Sequence, residues 1–336
     1  LVRASEVVFY FRVRGLAVVG VPLVLVGFYQ AWTGHNPYAA LRAHTAWGWE
    51  EQYMLVRHGL YRADASFGQY IAYGMYFALL APVLVGHWYE THWSRPLLCA
   101  VIGFMLLGII SSMSSGPLLT VACGFGLVMA YPMRRYTPFI LIGMVVVGTV
   151  LHFASNRGLP YIPTRLAFNS STAYYRIGLY EEAFTGGMAG HWLFGYGYVG
   201  VSPEDQPINA RAGFDWRHKD FTSIYIARLA RFGLAGLLPF MAVNAMLYHA
   251  LFRAYRYAER FGDRWAIWCF ASGIAGANLG MLTVNILSQN IYVFWMLVAV
   301  CGNLALIFRT EWEQVEESAA EAEASVPQPR RAGAPA

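Results

Sequence analysis

Charge is what this sequence has least of. Only 13% of its 336 residues are Asp, Glu, Lys or Arg, against 57% hydrophobic. A soluble domain carries about 25% charged residues to cover its surface. The shortfall excludes an ordinary soluble domain, and the composition excludes disorder, coiled coil and collagen as well. Lysine is nearly absent: of the 24 basic residues only Lys219 is Lys. Cysteine is sparse too. Cys99, Cys123, Cys269 and Cys301 fall in apolar stretches without metal-ligand spacing, so they read as small buried hydrophobes rather than a disulfide framework or a zinc site. The basic residues are scattered between hydrophobic runs and make no nucleic-acid-binding stripe, so no nucleic-acid partner is expected.

What the sequence has in quantity is apolar length. A helix needs about 20 apolar residues to cross a bilayer core. Charge-free stretches occupy 15–32, 67–86, 97–113, 116–131, 138–154, 232–252, 265–285 and 288–308. Residues 265–308 run 44 positions without a charge. As one helix they would extend about 66 Å, so they predict a hairpin turning near 285–288. The stretch 97–131 likewise predicts two helices turning at 111–117. The 11 Trp, 22 Tyr and 21 Phe supply rings of the kind that gather at membrane–water interfaces. The expected fold is all-α, a polytopic transmembrane helical bundle of about 8 spans. Residues 1–308 form a single integral membrane domain on this reading. The tail 309–336, acidic and Ala-rich before a Pro-Gln-Pro-Arg-Arg end, is expected to be a cytoplasmic helix fraying into disorder.

Short-loop charge sets the orientation. Arg134 and Arg135 sit in one loop, and Arg253, Arg256, Arg260 and Arg264 in another. An even number of spans puts these loops on the side of both termini, and the short turns opposite carry no Arg or Lys. The positive-inside rule then makes the termini cytoplasmic and places the long segments 33–66 and 155–222 outside. Because the chain opens on Leu1, we expect it to be a piece of a longer protein with helices before that residue.

The first long loop carries His35, His44, His58, Arg42, Arg57 and Arg62. Its histidines have no zinc spacing, and helices lying at the interface with solvated polar faces account for them. Arg62 differs. It lies in GLYRADASFGQYIAYG, just before a span, on the side where orientation does not call for a cation. In the second loop Pro160 and Pro163 end the preceding helix, and Ser171 or Thr172 can cap a new one. On that helix Arg176 and Tyr180, four residues apart, share a face, and Gly186-Gly187 ends it. Gly195, Gly197 and Gly200 follow in an aromatic turn that lacks the strand of a dinucleotide fingerprint; a loop packed close to the membrane accounts for it. Asp215, Arg217, His218, Lys219 and Asp220 form a dense charged cluster that also reads as a solvated loop–helix junction. Arg228 and Arg231 follow at helical spacing, where snorkelling to headgroups is the plain alternative. Together Arg62, Arg165, Arg176, Arg217, Lys219, Arg228 and Arg231 form a cationic collection. The planar Arg fork matches phosphate oxygens, and both a lipid diphosphate and bulk anionic lipid fit.

The order of these features, RLAFNSSTAYYRIGLYEEAF, then HWLFGYGYVG, then HKDFTSIYIARLARFGLAGLL, resembles the O-antigen ligase / polysaccharide polymerase family of bacterial inner membranes. SSMSSGPLL resembles that family's turn between two spans, and YRADASFGQYIAYG its Arg-containing segment before a span. The resemblance covers roughly residues 55–305 and implies a GT-C-like bundle acting as a glycosyltransferase without metal or cofactor. Its donor would be an undecaprenyl-diphosphate-linked glycan reached from the periplasm. The product would be O-antigen, capsule or exopolysaccharide, made with membrane lipid around the site and with chain-length regulator or export partners. On this reading Arg176, Arg165 and Arg62 lead the diphosphate set, which also takes in Arg217, Lys219 and Arg228. Arg176 stabilises the charge growing on the leaving diphosphate, and a base takes the acceptor's proton.

Two positions depart from the family pattern. Thr222 and Ser223 stand where it has His and Asn, which leaves His218 and Asp220 as candidate bases. His218 would share a face with Thr222 if the following helix reaches back to residue 218. Ser115 stands where the turn has Arg. The missing His favours a polymerase over an O-antigen ligase that transfers glycan to lipid A core. A transporter of polysaccharide lipid is the reading from another class; it calls for charged residues at mid-membrane, and the spans have none.

Overall fold

The computed structural model of the protein describes residues 4–39, 56–57, 59–89, 94–136, 139, 142–143, 146–147, 149–150, 170–197, 222–284 and 290–325. These residues are mostly helical. In chain order they form α1 (Ala4–Thr33), a two-stranded ribbon of β1 (Val56–Arg57) and β2 (Leu60–Tyr61), and α2 (Tyr70–Val85). Then come α3 (Arg95–Ser111), α4 (Ser115–Met129), α5 (Ser170–Glu182), α6 (Ile224–Tyr257), α7 (Phe261–Gly280) and α8 (Asn290–Ser325). Both charge-free stretches are divided into two helices: α3 and α4 flank 112–114, while α7 ends at Gly280, a turn follows at 281–283, and α8 begins at Asn290. The expected turn at 285–288 and most of the span 138–154 lie outside the described residues.

A helix apolar on every side belongs at the centre of a bundle. In α2 every residue from Ala72 to Leu84 is buried, and the helix packs against α3, α4 and α7. The α4–α7 pair is the tightest because small residues face each other. A Cβ on Gly276 would stand 2.5 Å from the Thr120 carbonyl oxygen and 2.8 Å from the Gly124 nitrogen, so only glycine permits this approach. Several polar groups inside the bundle donate to main-chain carbonyls of neighbouring helices. Tyr76 donates to the Leu16 carbonyl (2.7 Å), Asn290 Nδ2 to Ala72 (2.6 Å) and Trp268 Nε1 to Leu127 (2.8 Å). At one end Tyr89, Tyr131, Phe261, Trp265 and Trp268 stack edge to face, with centroids 5.0–5.8 Å apart, beside Arg134 and Arg264.

Among the described residues three helical stretches are long and apolar enough to cross a membrane: Gly15–Thr33, Tyr70–Tyr89 and Ile224–Tyr257. Arg95–Ser111, Ser115–Met129 and Asn290–Leu304 are apolar but shorter. The outward faces carry large apolar side chains, Val18, Trp32, Met129 and Met246 among them, which is compatible with a membrane protein. Two sequence expectations need adjusting. The first loop contains the antiparallel β1–β2 ribbon, with Arg57 opposite Leu60 and Gly59 at φ 81° between the strands, and residues 40–55, where interface helices are expected, lie outside the described residues. Of the cysteines, Cys269 and Cys301 are buried, whereas Cys123 is only partly so and Cys99 is exposed on α3.

Candidate functional site

The end of α3 leaves carbonyls without intrahelical partners and carries the negative pole of the helix. The segment 57–63 covers it. Ala63 N–H donates to the Ser111 carbonyl (3.0 Å), Arg62 Nε to Ser112 (3.2 Å) and Arg57 Nη1 to Met113 (3.0 Å). The two non-glycine residues with left-handed backbone among those described, Ala65 (φ 43°) and Met113 (φ 48°), both lie in this junction. Such residues persist only where surrounding contacts fix them. Gln30 and Asn36, near the end of α1, hold it from the other side. Both donate to Asp64 Oδ1, at 2.6 and 2.9 Å, while the Gln30 carbonyl oxygen accepts from the Asp64 and Ala65 N–H groups.

Arg62 is thereby held in place and only 6% exposed. Its guanidinium carbon lies 3.0 Å from the centroid of Tyr70, the first residue of α2. Nη1 is buried with no hydrogen-bond partner. Its pKa is lowered to about 10, chiefly by burial and in smaller part by the positive charges of Arg57 and Arg176, while Tyr70 opposes them. Among the described residues no carboxylate enters that balance. The guanidinium is still charged at neutral pH, so Arg62 is a cation with other cations for neighbours.

Arg176, whose charge acts on Arg62 from nearby, stands on α5. Among the described residues that helix begins at Ser170, so the expected caps Ser171 and Thr172 lie inside it, and after Glu182 a single wider turn, Ala183–Gly187, closes it at the expected glycine pair. Tyr180 docks the helix. Its hydroxyl donates to the Leu282 carbonyl (2.7 Å) and shares a hydrogen bond with Ser223 Oγ (2.7 Å); burial pushes the phenol pKa up. Ser223 is itself the cap of α6, accepting from Ile226 N–H. Thr222, next to it, has a buried hydroxyl without a hydrogen-bond partner.

The Gly-rich turn completes the assembly. Helix α6 is broken at Gly233, whose φ 61° and ψ −159° are open to glycine alone. Residues 192–197 enter the break and bond both exposed helix ends. Tyr196 and Gly197 donate to the carbonyls of Ala230 (2.7 Å) and Arg231 (2.9 Å), while Leu234 and Ala235 donate to those of Trp192 (2.7 Å) and Leu193 (3.0 Å). Behind it, Ala183 and Met188 pack with Ile226, Ala227, Leu229 and Ala230 in a core of their own.

Of the residues expected to act, Arg176 is near enough to Arg62 for its charge to act on it, as the weakest of the influences there. Arg228 stands apart: its guanidinium lies 5.7 and 6.0 Å from the rings of Phe232 and Phe240 and is not among the charges acting on Arg62. Arg165, Arg217, His218, Lys219 and Asp220 lie outside the described residues. Because α6 starts at Ile224 and Ser223 is its cap, Thr222 is not helical. The expectation that His218 shares a helical face with it therefore loses its basis. Sequence reasoning missed Arg57 as a member of the group; the hairpin signal around Gly59, which turns Arg57 back toward Arg62, could have found it. It also missed Asp64, whose neighbours Gln30 and Asn36 carry no local signal. Among the described residues no three or more His, Cys, Asp or Glu side chains gather to hold a metal. Comparisons with known protein families, with curated proteins and with solved structures find no match for this chain.

Proposed function

We propose that this chain is a metal-independent membrane glycosyltransferase that polymerises undecaprenyl-diphosphate-linked oligosaccharide repeat units at the periplasmic face of a bacterial inner membrane. On this reading it spans the membrane about eight times in a GT-C-like bundle, its termini are cytoplasmic, and α5 with its neighbours lies outside. The observation that carries the proposal is the buried Arg62, fixed by Ser112 and Tyr70 with its Nη1 left without a partner. A buried guanidinium with a free N–H, crowded by Arg57 and Arg176, makes a site that an anion with several oxygens would stabilise.

In the reaction the acceptor hydroxyl oxygen forms a bond to the donor's anomeric carbon as the bond from that carbon to phosphate oxygen breaks. Undecaprenyl diphosphate leaves with the electron pair, and the arginines offset the charge it gains. The acceptor's proton passes to a base, for which His218 and Asp220 are the candidates. Ligation of glycan to lipid A core uses the same chemistry with a different acceptor. The break in α6 favours one reading of another class, a transporter of polysaccharide lipid, because interrupted helices mark many transport sites. Here, however, the freed backbone groups are already bonded to residues 192–197, which ties the break shut.

Cells making the polymer with Arg176→Ala or His218→Ala in place of the wild-type chain test the proposal, with lipid-linked glycan resolved by size. A polymerase leaves single repeat units when crippled. Long lipid-linked polymer that is not attached to core identifies a ligase, and wild-type product from both variants refutes the site.

A further inference from the structure

A second site lies far along α6 from the first, where α6 and α8 run side by side. Ala245, Met246, His249, Ala250 and Arg253 line one wall of a cleft of about 550 Å³, and Gly302, Leu306 and Arg309 line the other. The spacing explains the cleft. On α6 these positions recur every four residues on one face, and on α8 Gly302, Leu306 and Arg309, spaced by four and three, share a face as well. Ala245, Ala250 and Gly302 leave the room; nothing lies within 4 Å of a Cβ built on Gly302. The volume is in the range of small-molecule sites.

The cleft is polarised. Its inner length is apolar, with Met246 71% and Leu306 63% exposed, and one end carries Arg253, Arg309 and His249. Arg309 gives Nε to Glu313 (2.7 Å), but that pair is open to solvent on both sides, where such pairs are weak and exchangeable. Arg253 also lies near the Tyr257 ring (5.9 Å). Arg256, Arg260 and Arg264 follow close by in the chain, so this end of the helices has the charge of a membrane boundary. An apolar trough that ends in a cationic rim is complementary to one kind of molecule, an amphiphile with an anionic head.

We propose that the α6–α8 cleft binds an anionic phospholipid, one acyl chain along Met246 and Leu306 and the phosphate at Arg253 and Arg309. Basic pockets between membrane helices are physically suited to such headgroups. The inference stands on this cleft alone and does not depend on the glycosyltransferase reading.

The test uses the full chain in a neutral detergent, titrated with phosphatidylglycerol or phosphatidylcholine and read by native mass spectrometry. Wild type should hold phosphatidylglycerol in preference to phosphatidylcholine, less so as salt rises. R253Q/R309Q should weaken phosphatidylglycerol binding about tenfold. R256Q removes an exposed charge that does not line the cleft and should change little. G302L keeps every charge but fills the trough, and should also weaken binding; it serves where the double variant fails to fold. Equal retention of phosphatidylcholine, an R256Q loss as large as that of R253Q/R309Q, or unchanged binding by G302L would each overturn the proposal.

Discussion

Gly195 and Gly233 meet backbone to backbone. A Cβ on Gly195 would stand 2.6 Å from the Gly233 nitrogen, and one on Gly233 would stand 2.4 Å from the Leu193 carbonyl carbon. Both have positive φ, 69° and 61°. Their meeting lets a loop plug a broken helix, and through Met188 and Ala183 that loop is continuous with α5, which carries Arg176.

Gly195→Ala and Gly233→Ala should each be severely destabilising. The left-handed backbone alone costs about 1–2 kcal/mol with a Cβ, and the four hydrogen bonds across the break each add about 1 kcal/mol when lost. Gly197→Ala is the control: φ is 80° but the space beyond is open, so only the first cost applies. Thermal unfolding in detergent measures the difference, and equal melting temperatures for Gly197→Ala and Gly233→Ala would contradict the plugged break.

Tyr180→Phe removes the hydroxyl that ties α5 to Ser223 and Leu282. The expected stability loss is about 1 kcal/mol, with a larger loss of polymer output because Arg176 is no longer held. Protease nicking of the α5 segment, followed with time, should rise in this variant; an unchanged nicking rate would show that the tie does not hold the helix.

Thr222→Val replaces a buried hydroxyl that has no hydrogen-bond partner. Removing an unsatisfied buried polar group is neutral or stabilising, so the melting temperature should hold or rise. If the hydroxyl serves substrate, polymer output falls all the same. Unchanged output would exclude Thr222 from the site.

Arg62 should set the alkaline limit of anion binding. Its pKa is lowered to about 10, so the guanidinium is charged throughout the neutral range and its contribution is lost as pH rises through about 10. Folding carries the opposite sign: above that pH the folded chain sheds the proton before the unfolded chain does, which relieves the cost of burying the charge. Binding of inorganic pyrophosphate against pH, in wild type and Arg62→Lys, should show the fall in wild type at about 10. A wild-type curve flat through that region would show that Arg62 takes no part.

The parts of the fold set by local rules were legible. Charge-free length gave the division of each long apolar stretch into two helices, and the Gly186-Gly187 pair gave the end of α5. The four-residue spacing of Arg176 and Tyr180 put them on one face, where Tyr180 docks on Ser223 and Leu282. What was not legible depends on distant segments. The sequence 231–236 reads as unbroken helix, because a lone glycine in an apolar run is tolerated; the break exists because residues 192–197 bond its ends. Likewise nothing near Arg62 announces the end of α3, whose carbonyls select both Arg57 and Arg62. The turn 111–115 has no Arg of its own, and these two residues bring cations to it from the first loop.

The most direct test of the central claim is reconstitution. Purified chain in lipid nanodiscs, given undecaprenyl-diphosphate-linked oligosaccharide, should lengthen it into a ladder resolved by gel. Arg176→Ala and Arg62→Lys should each leave single repeat units while melting within a few degrees of wild type. Full ladders from both variants, or no lengthening by the wild-type chain, would contradict the account.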